Sequence, residues 1–239
     1  MNVLDFKKTR SLEIRSKANK AEIYLYGAIG ESFFEDSISA KQFADELGKL
    51  DKNIKEITVR INSPGGDVFD GISIYNLIQS KKKTAKVICM VDGLAASIAS
   101  IIMLAGDEVI MNQGSLMMIH KPWSMALGNA DDLEKMINRL DSVEEQLLSI
   151  YSKKTKISRS ELRLMLSAEG GEGTWMDALT AKEMGFVDKI AEDQAVIAAS
   201  AINKSWVKNL PKNIKTDNDI VREKMQNLKK EIEGFLARK

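Results

Sequence analysis

The stretch Val87-Ile-Cys-Met-Val-Asp-Gly-Leu-Ala-Ala-Ser-Ile-Ala-Ser-Ile-Ile-Met-Leu-Ala-Gly106 is the part of this sequence around which the rest can be understood. Residues 87–91 form a short apolar run typical of a buried strand, and Asp92-Gly93 predicts a turn after it. Residues 98–104 predict a buried helix. Ser97 lies where strand gives way to helix, beside unpaired N–H groups and the positive end of the helix dipole. Its hydroxyl is therefore either a helix cap or a nucleophile beside an anion-binding site.

Composition indicates an ordinary soluble globular protein. Of the 239 residues, 44% are hydrophobic and 29% are charged. The 35 basic residues nearly balance the 34 acidic ones, so net charge gives no reason to expect nucleic acid or a membrane surface as a partner. The single cysteine, Cys89, lies in an apolar run and cannot form an internal disulfide, which favours a reducing compartment. No apolar run approaches the roughly 20 residues of a membrane-spanning helix, so we expect a cytoplasmic location.

Strand and helix patterns alternate through the middle of the chain, which predicts an α/β fold with right-handed crossovers between parallel strands. Strands are predicted at 22–27, 56–61, 108–111, 116–119 and 186–190, and helices at 39–50, 69–80, 131–155 and 158–167. Ser39 and Ser158 are predicted N-caps, the second in a capping box with Glu161. Thr180 and Glu183 repeat the capping-box spacing before Gly185, a predicted helix end.

The chain divides into three predicted parts. Residues 1–20 are charged and aperiodic, which indicates a flexible N-terminal arm or loop. Residues 21–192 carry the alternating pattern and form the folded domain. Residues 193–239 are predicted to be a polar linker followed by an amphipathic C-terminal helix at 220–237, with too few apolar residues for a domain of its own.

Three features besides Ser97 are candidates for chemistry. The stretch Asn62-Ser-Pro-Gly-Gly66 follows a strand, and paired glycines either make an ordinary tight turn or bring backbone N–H groups close to a ligand. His120 is the only histidine, so a serine nucleophile that uses histidine as its general base must use His120. The carboxylate that orients the histidine is open at this level. The segment 168–177 offers Glu169, Glu172 and Asp177.

Four stretches together resemble the family of Clp protease proteolytic subunits over roughly residues 22–192. They are Asn62-Ser-Pro-Gly-Gly66, Gly93-Leu-Ala-Ala-Ser-Ile98, Met118-Ile-His-Lys-Pro122 and Lys182-Glu-Met-Gly-Phe-Val-Asp188, in the family's order and approximate spacing. The Gly-Thr-Trp-Met pattern at 173–176 is similar to the phage and prophage branch. The resemblance implies the repeated β-β-α superhelical fold that Clp protease shares with crotonase, with the helix from Asp131 protruding as a handle.

The resemblance also implies a role for each matching position. Ser97 matches the nucleophile, His120 the general base, and the backbone N–H groups of Gly66 and Ile98 the oxyanion hole. The family's catalytic aspartate aligns near Gly173, which has no side chain for that role. Glu172 is predicted to replace it, and a Ser–His dyad is the alternative. The substrate-binding residues implied are Gly65, Asp67, Val68, Trp123, Ser124 and Met125.

The implied function is that of a serine endopeptidase that hydrolyses polypeptides, without metal or cofactor. The resemblance implies a heptameric ring, stacked in pairs as a tetradecamer. Since the sequence has no phosphate-binding loop, ATP-driven unfolding requires a separate AAA+ unfoldase. A prophage setting implies a capsid protein as substrate or partner during head maturation. The alternatives are a catalytically inactive ring-forming assembly protein and a crotonase-type acyl-CoA hydratase.

Overall fold

The computed structural model describes residues 12–31 and 37–191, which contain ten strands and seven helices. Their order is β1 (Leu12–Lys17), β2 (Lys20–Tyr26), β3 (Ala28–Ile29), β4 (Ser37–Ile38), α1 (Ala40–Gly48), β5 (Glu56–Ser63), α2 (Val68–Lys81), β6 (Lys86–Ala96), α3 (Ile98–Met103), β7 (Glu108–Asn112), β8 (Leu116–Ile119), α4 (Ala130–Lys154), α5 (Arg159–Leu166), α6 (Ala168–Gly171), β9 (Thr174–Asp177), α7 (Ala178–Glu183) and β10 (Lys189–Ala191). The predicted α/β fold class is confirmed.

The main sheet has eight strands, and its continuous path is β1-β2-β5-β6-β7-β10. β1 is antiparallel to β2, and the remaining neighbours along this path are parallel. β8 pairs parallel with the end of β6, and β9 pairs antiparallel with β8. The carboxyl end of β6 therefore lies beside β8, and this pairing positions the candidate site.

One face of the sheet is the centre of the core. Alternate residues of neighbouring strands, such as Ile23, Val59 and Val87, are completely buried, as the twofold repeat of a strand requires. Cys89 belongs to the same buried set, and burial raises the pKa of its thiol to about 12. It is a core residue, as the sequence indicated.

The predicted turn at Asp92-Gly93 is wrong, because β6 continues through it to Ala96. The pairing with β5 shifts register between Ile61 and Ser63, and β6 changes its neighbour from β7 to β8 over the same residues. The charged side chain of Asp92 is accommodated within the strand, because its carboxylate accepts hydrogen bonds from Arg60 at 2.5 and 2.8 Å. The strand thus bends instead of ending, and it carries the chain directly to Ser97.

Local capping signals locate several helices correctly. Ser39 and Ser158 are the N-caps of α1 and α5, each in a reciprocal capping box. The long predicted helix is α4, which spans 25 residues. Its second half packs into the core through residues such as Leu148 and Tyr151, while its first half is largely exposed.

Other boundaries depend on tertiary pairing, and the sequence prediction missed them. Residues 12–17, predicted as loop, form β1 against β2. α7 begins at Ala178 with Asp177 as its cap, so the predicted cap Thr180 lies inside the helix. The last strand begins at Lys189 instead of 186, because the N–H groups of Phe186 and Val187 donate back to the Ala181 carbonyl of α7. The predicted helix at 220–237 lies outside the described residues. None of the helices from residue 12 to residue 191 that the structure describes is long and apolar enough to cross a membrane.

Candidate active site

Ser97 lies at the junction of β6 and α3 in a strained backbone conformation, with φ 54° and ψ −128°. A positive φ is uncommon for a residue with a side chain. Although Ser97 occupies the N-cap position, its side chain makes no capping hydrogen bond. Its Oγ lies 2.8 Å from Nε2 of His120. The hydroxyl therefore contacts a candidate base and does not cap the helix.

The pairing of β6 with β8 brings the serine and the histidine together. Ala96 is opposite Met118, and the N–H of Ser97 donates to the Met118 carbonyl at 2.9 Å. His120 follows β8 by one residue. Because parallel strands in register hold their carboxyl ends side by side, two residues 23 positions apart in sequence meet at one edge.

The electrostatics of His120 favour its neutral form. The ring is half-buried, and this burial lowers the pKa of His120 below its ordinary value, while the negative charge of Glu172 raises it in part. A neutral imidazole with its proton on Nδ1 has Nε2 free to accept the proton of the Ser97 hydroxyl. This is the protonation state that a general base needs.

The position of the family's aspartate is closed to any side chain. Gly173 has φ +90°, and a Cβ built on it would lie 2.1 Å from the Ile119 carbonyl oxygen and 2.5 Å from Cβ of His120. The backbone of Gly173 thus packs directly against the histidine. Glu172 is exposed and acts on His120 through charge, without a hydrogen bond to it. In the described part of the chain, no carboxylate accepts a hydrogen bond from His120.

The other two carboxylates considered from the sequence lie elsewhere. Asp177 pairs opposite Leu116, whereas Thr174 pairs opposite Ile119, the residue before His120. Three residues of strand separate these pairs by roughly 10 Å, and Asp177 Oδ1 already accepts from the N–H of Thr180 at 2.8 Å. Glu169 is exposed on α6. Neither contacts the Ser97–His120 pair.

Two backbone N–H groups near Ser97 are available to a ligand. The segment around Gly66 pairs with Ile29 on one side, through bonds between Ile29 N and Gly65 O at 2.8 Å and between Asp67 N and Ile29 O at 2.9 Å. The alternation of an extended chain turns the N–H of Gly66 away from Ile29. Ile98 is the first residue of α3. Among residues 12–31 and 37–191, neither N–H has a hydrogen-bond acceptor.

Gly65 lets the Gly-Gly segment pack directly against the serine. A Cβ on Gly65 would lie 2.6 Å from Cβ of Ser97 and 2.7 Å from the Ala96 carbonyl oxygen. No side chain fits between the two segments without moving one of them. The turn predicted at 62–66 is wrong, because Asn62 and Ser63 continue β5 and Gly66 forms a parallel bridge with Ile29. The glycines instead allow this segment to approach Ser97 closely, and the N–H of Gly66 has no acceptor among the described residues.

The predicted substrate-binding residues lie in two segments, one at Gly65 and the residues after it and one after His120. Gly65 is buried and Val68 is half-buried, whereas the other four residues are exposed. Asp67 caps α2 through bonds to the N–H groups of Phe69 and Asp70, and Val68 follows it as the first residue of that helix. The second segment, 123–125, follows His120, with Trp123 70% and Met125 87% exposed. Ser124 lies between them and is also exposed. Backbone N–H groups at 123–125 have no acceptor within the described ranges.

Two polar contacts near the site were not predicted. Ser100, a polar interruption of the apolar run after Ser97, is completely buried and contacts the hydroxyl of Tyr151 at 2.7 Å. Asp92 accepts from Tyr26 as well as from Arg60. Each contact joins residues more than 30 positions apart, so the only sequence signal was a polar residue in an apolar run.

In the residues that the structure describes, no three His, Cys, Asp or Glu side chains group to hold a metal ion.

Comparisons with known proteins identify similar sequences. The family model described as Clp protease matches residues 7–194. The chain is 36% identical over 157 residues to an ATP-dependent Clp protease proteolytic subunit of Carsonella ruddii, a match covering 64% of this chain and 77% of that relative. It is 33% and 32% identical over 138 residues to subunits of the same name from Bacteroides fragilis and Bacteroides thetaiotaomicron. These two matches cover 57% of this chain but less than two thirds of those relatives, 64% and 60% respectively.

Proposed function

The chain belongs to the Clp protease family, and on this premise we propose that it is a serine endopeptidase in which Ser97 is the nucleophile and His120 the general base. The observation that carries the proposal is the hydrogen bond between Ser97 Oγ and His120 Nε2, 2.8 Å long. A serine hydroxyl is a weak nucleophile at neutral pH and needs a base within this distance.

The reaction proceeds in two halves. His120 takes the hydroxyl proton as Ser97 Oγ attacks the peptide carbonyl, and the resulting imidazolium gives that proton to the leaving amine. This step leaves an acyl group on Ser97. A water then attacks the acyl group while His120 accepts its proton, and the return of that proton to Oγ releases the carboxylate product and restores the serine.

The N–H groups of Gly66 and Ile98 are proposed as the oxyanion hole. Both lack an acceptor in the described chain, and Ile98 is the residue that directly follows the nucleophile. Donors that point at the tetrahedral oxyanion before the reaction begins are worth several kcal/mol, about 3–4 for one donor in a protease of this chemistry. The strained φ of Ser97 supports this role, since such strain is concentrated at functional sites.

Glu172 is proposed to support His120 through its charge. The carboxylate raises the pKa of His120, so it stabilises the imidazolium formed during acylation. Since Gly173 cannot hold a side chain beside the ring, the pair works as a Ser–His dyad assisted by this nearby negative charge.

The proposed substrate is an extended polypeptide. The segments at 66–68 and 123–125, exposed except for the half-buried Val68, present backbone groups that a peptide can pair with as an added strand. We further propose a ring-shaped homo-oligomer that receives unfolded chains from a separate AAA+ ATPase in the cytoplasm. A capsid protein processed during phage head maturation is the proposed natural substrate in a prophage setting.

A fluorophosphonate probe, which reacts with activated serines, tests the proposal. The full-length chain and its Ser97→Ala and His120→Ala variants are labelled, analysed by intact mass spectrometry, and assayed with fluorogenic peptides. Ser115→Ala is the control, because Ser115 is a buried serine whose hydroxyl donates to the Asn112 carbonyl and lies outside the site. We expect wild type and Ser115→Ala to gain one label and cleave peptide, and the other two to do neither.

The same experiment also addresses the alternatives. An unlabelled wild type without peptidase activity fits the inactive assembly protein or the acyl-CoA hydratase, and tight acyl-CoA binding then distinguishes the hydratase. Labelling at a serine other than Ser97 refutes the assigned nucleophile. Mass spectrometry of the unlabelled proteins also shows whether residues 193–239 are removed in wild type and retained in Ser97→Ala, which makes that segment a substrate.

A further inference from the structure

A pair of buried hydroxyl groups lies directly beneath Ser97. Ser100 on α3 is completely buried, and its Oγ lies 2.5 Å from the carbonyl oxygen of Ser97. The same Oγ lies 2.7 Å from the hydroxyl of Tyr151 on α4, which is 1% exposed. The Ser97 carbonyl also accepts from the N–H of Ser100 at 3.0 Å. The carbonyl of Ser97 is thus held by two donors of Ser100, its N–H and its hydroxyl, and Tyr151 contacts that hydroxyl.

The protons of this pair have only one consistent arrangement. A serine hydroxyl has one proton, and the Ser97 carbonyl can only accept, so the proton of Ser100 points at that carbonyl. Tyr151 must then donate to Ser100. Burial raises the pKa of Tyr151, so its phenol keeps the required proton at neutral pH. The bonds run in one direction, from Tyr151 to Ser100 to Ser97, and such chains strengthen each member.

Tyr151 is itself fixed in place. Its ring packs edge-to-face against Phe186, with ring centroids 5.8 Å apart and an interplanar angle of 75°. Both rings are buried in the core. The phenol is therefore a rigid donor at the base of the site.

The carbonyl of Ser97 and the N–H of Ile98 belong to one planar peptide group. In a trans peptide the two bonds point in opposite directions, so fixing the carbonyl also fixes the direction of the N–H. Ser97 has a positive φ, and such a conformation persists only when its surroundings hold it. The two hydrogen bonds that Ser100 donates supply that restraint at the carbonyl of the peptide group, opposite its N–H.

We propose that Ser100 and Tyr151 are positioning residues that aim the Ile98 N–H at the oxyanion by holding the Ser97 carbonyl. The inference rests on the proposed function, because it assigns a purpose to the Ile98 N–H. An ordinary explanation also exists, since helix serines commonly bond the carbonyl three or four residues earlier. Ser115, which follows the turn between β7 and β8, also bonds the carbonyl three residues earlier, that of Asn112, at 2.7 Å. It is 1% exposed, and no hydrogen bond joins it to Ser97. It is therefore a matched control.

The test compares Ser100→Ala, Tyr151→Phe and Ser115→Ala with wild type. For each protein we measure kcat and KM on a fluorogenic peptide, the rate constant of fluorophosphonate labelling, and the thermal unfolding midpoint. Loss of a whole oxyanion donor costs roughly 100- to 1,000-fold in kcat, so a misdirected donor is expected to cost about tenfold. We expect Ser100→Ala to lower kcat and the labelling rate about tenfold with KM nearly unchanged, and Tyr151→Phe to lower both about threefold.

The control and the double variant decide between positioning and simple stability. Ser115→Ala is expected to keep wild-type kcat, and its unfolding midpoint should fall less than that of Ser100→Ala, which also leaves the buried Tyr151 hydroxyl without an acceptor. The double variant of Ser100 and Tyr151 is expected to be no slower than Ser100→Ala, because the phenol acts only through that hydroxyl.

Some outcomes overturn the inference. A kcat of Ser100→Ala within about twofold of the Ser115→Ala value shows that the bond is only structural. If Ser100→Ala does not fold, Tyr151→Phe decides alone, and an unchanged kcat for it refutes the inference. A wild type that neither labels nor cleaves peptide refutes the proposed function instead, so the two failures are distinguishable.

Discussion

Replacing Gly173 is expected to destabilise the protein and not to complete a catalytic triad. The resemblance aligns this position with an aspartate, which suggests that Gly173→Asp restores the missing carboxylate. The structure predicts the opposite. Gly173 has φ +90°, and a Cβ there would lie 2.1 Å from the Ile119 carbonyl oxygen, so β8 or the chain at Gly173 must move.

The expected magnitude follows from two separate costs. A side chain at positive φ costs roughly 1–2 kcal/mol. Forcing additional atoms into a packed site costs roughly 1–3 kcal/mol more. Gly173→Ala should therefore lower the free energy of unfolding by roughly 2–5 kcal/mol. For a domain of this size, each kcal/mol lowers the thermal midpoint by about 2–4 °C, so the expected loss is roughly 4–20 °C.

Gly171→Ala is the matched control, because Gly171 has φ +104° and no heavy atom lies within 4 Å of a Cβ built on it. It has the cost of backbone strain without the collision, so its midpoint should fall by only about 2–8 °C. The midpoints are measured by circular dichroism at one protein concentration, with peptidase kcat alongside.

Two results refute this reasoning. The first is a midpoint for Gly173→Ala equal to that of Gly171→Ala, which means that the collision has no energetic effect. The second is a folded Gly173→Asp variant with a higher kcat than wild type, which means that an aspartate at this position reaches His120 after all.

Further predictions concern charge near the site and in the sheet. The acid limb of kcat/KM should have a midpoint below pH 6.5, because burial lowers the pKa of the base His120, and activity is lost only as pH falls through this lowered value. Glu172→Gln should move that midpoint lower still, since it removes the charge that raises the pKa; an upward shift contradicts the assignment. Asp92→Asn should reduce the free energy of unfolding in urea by about 2–3 kcal/mol, because Arg60 keeps its charge but loses two charged hydrogen bonds. An unchanged urea midpoint means that this half-buried ion pair contributes nothing.

Much of the secondary structure was predictable because its signals are local. The N-caps Ser39 and Ser158 bond groups only three residues away, and the structure places both caps as predicted. The alternating strand pattern that starts at Glu56 and the long helical pattern of α4 were also predicted from local signals. Within such short distances, sequence neighbours are also neighbours in space.

The errors occur where a strand's neighbours decide its length. Residues 12–17 form a strand only because β2 is available for pairing, and β6 passes through Asp92-Gly93 only because β8 takes over from β7. Neither partner is visible in a local window. Arg60, 32 residues away, neutralises the polar residue that suggested a turn.

For the candidate site, the sequence by itself determined the residue types: one histidine, one serine after a strand, and a Gly-Gly pair that precedes them. Only the tertiary structure decided their geometry. Parallel pairing places Ser97 2.8 Å from His120, and the backbone of Gly173 occupies the space where a third side chain would lie. The contact from Ser100 to Tyr151 spans 51 residues of chain. Side-chain chemistry is a property of each residue alone, whereas distance and burial result from how distant segments pack, and these determine which group acts as a base, a donor or a support.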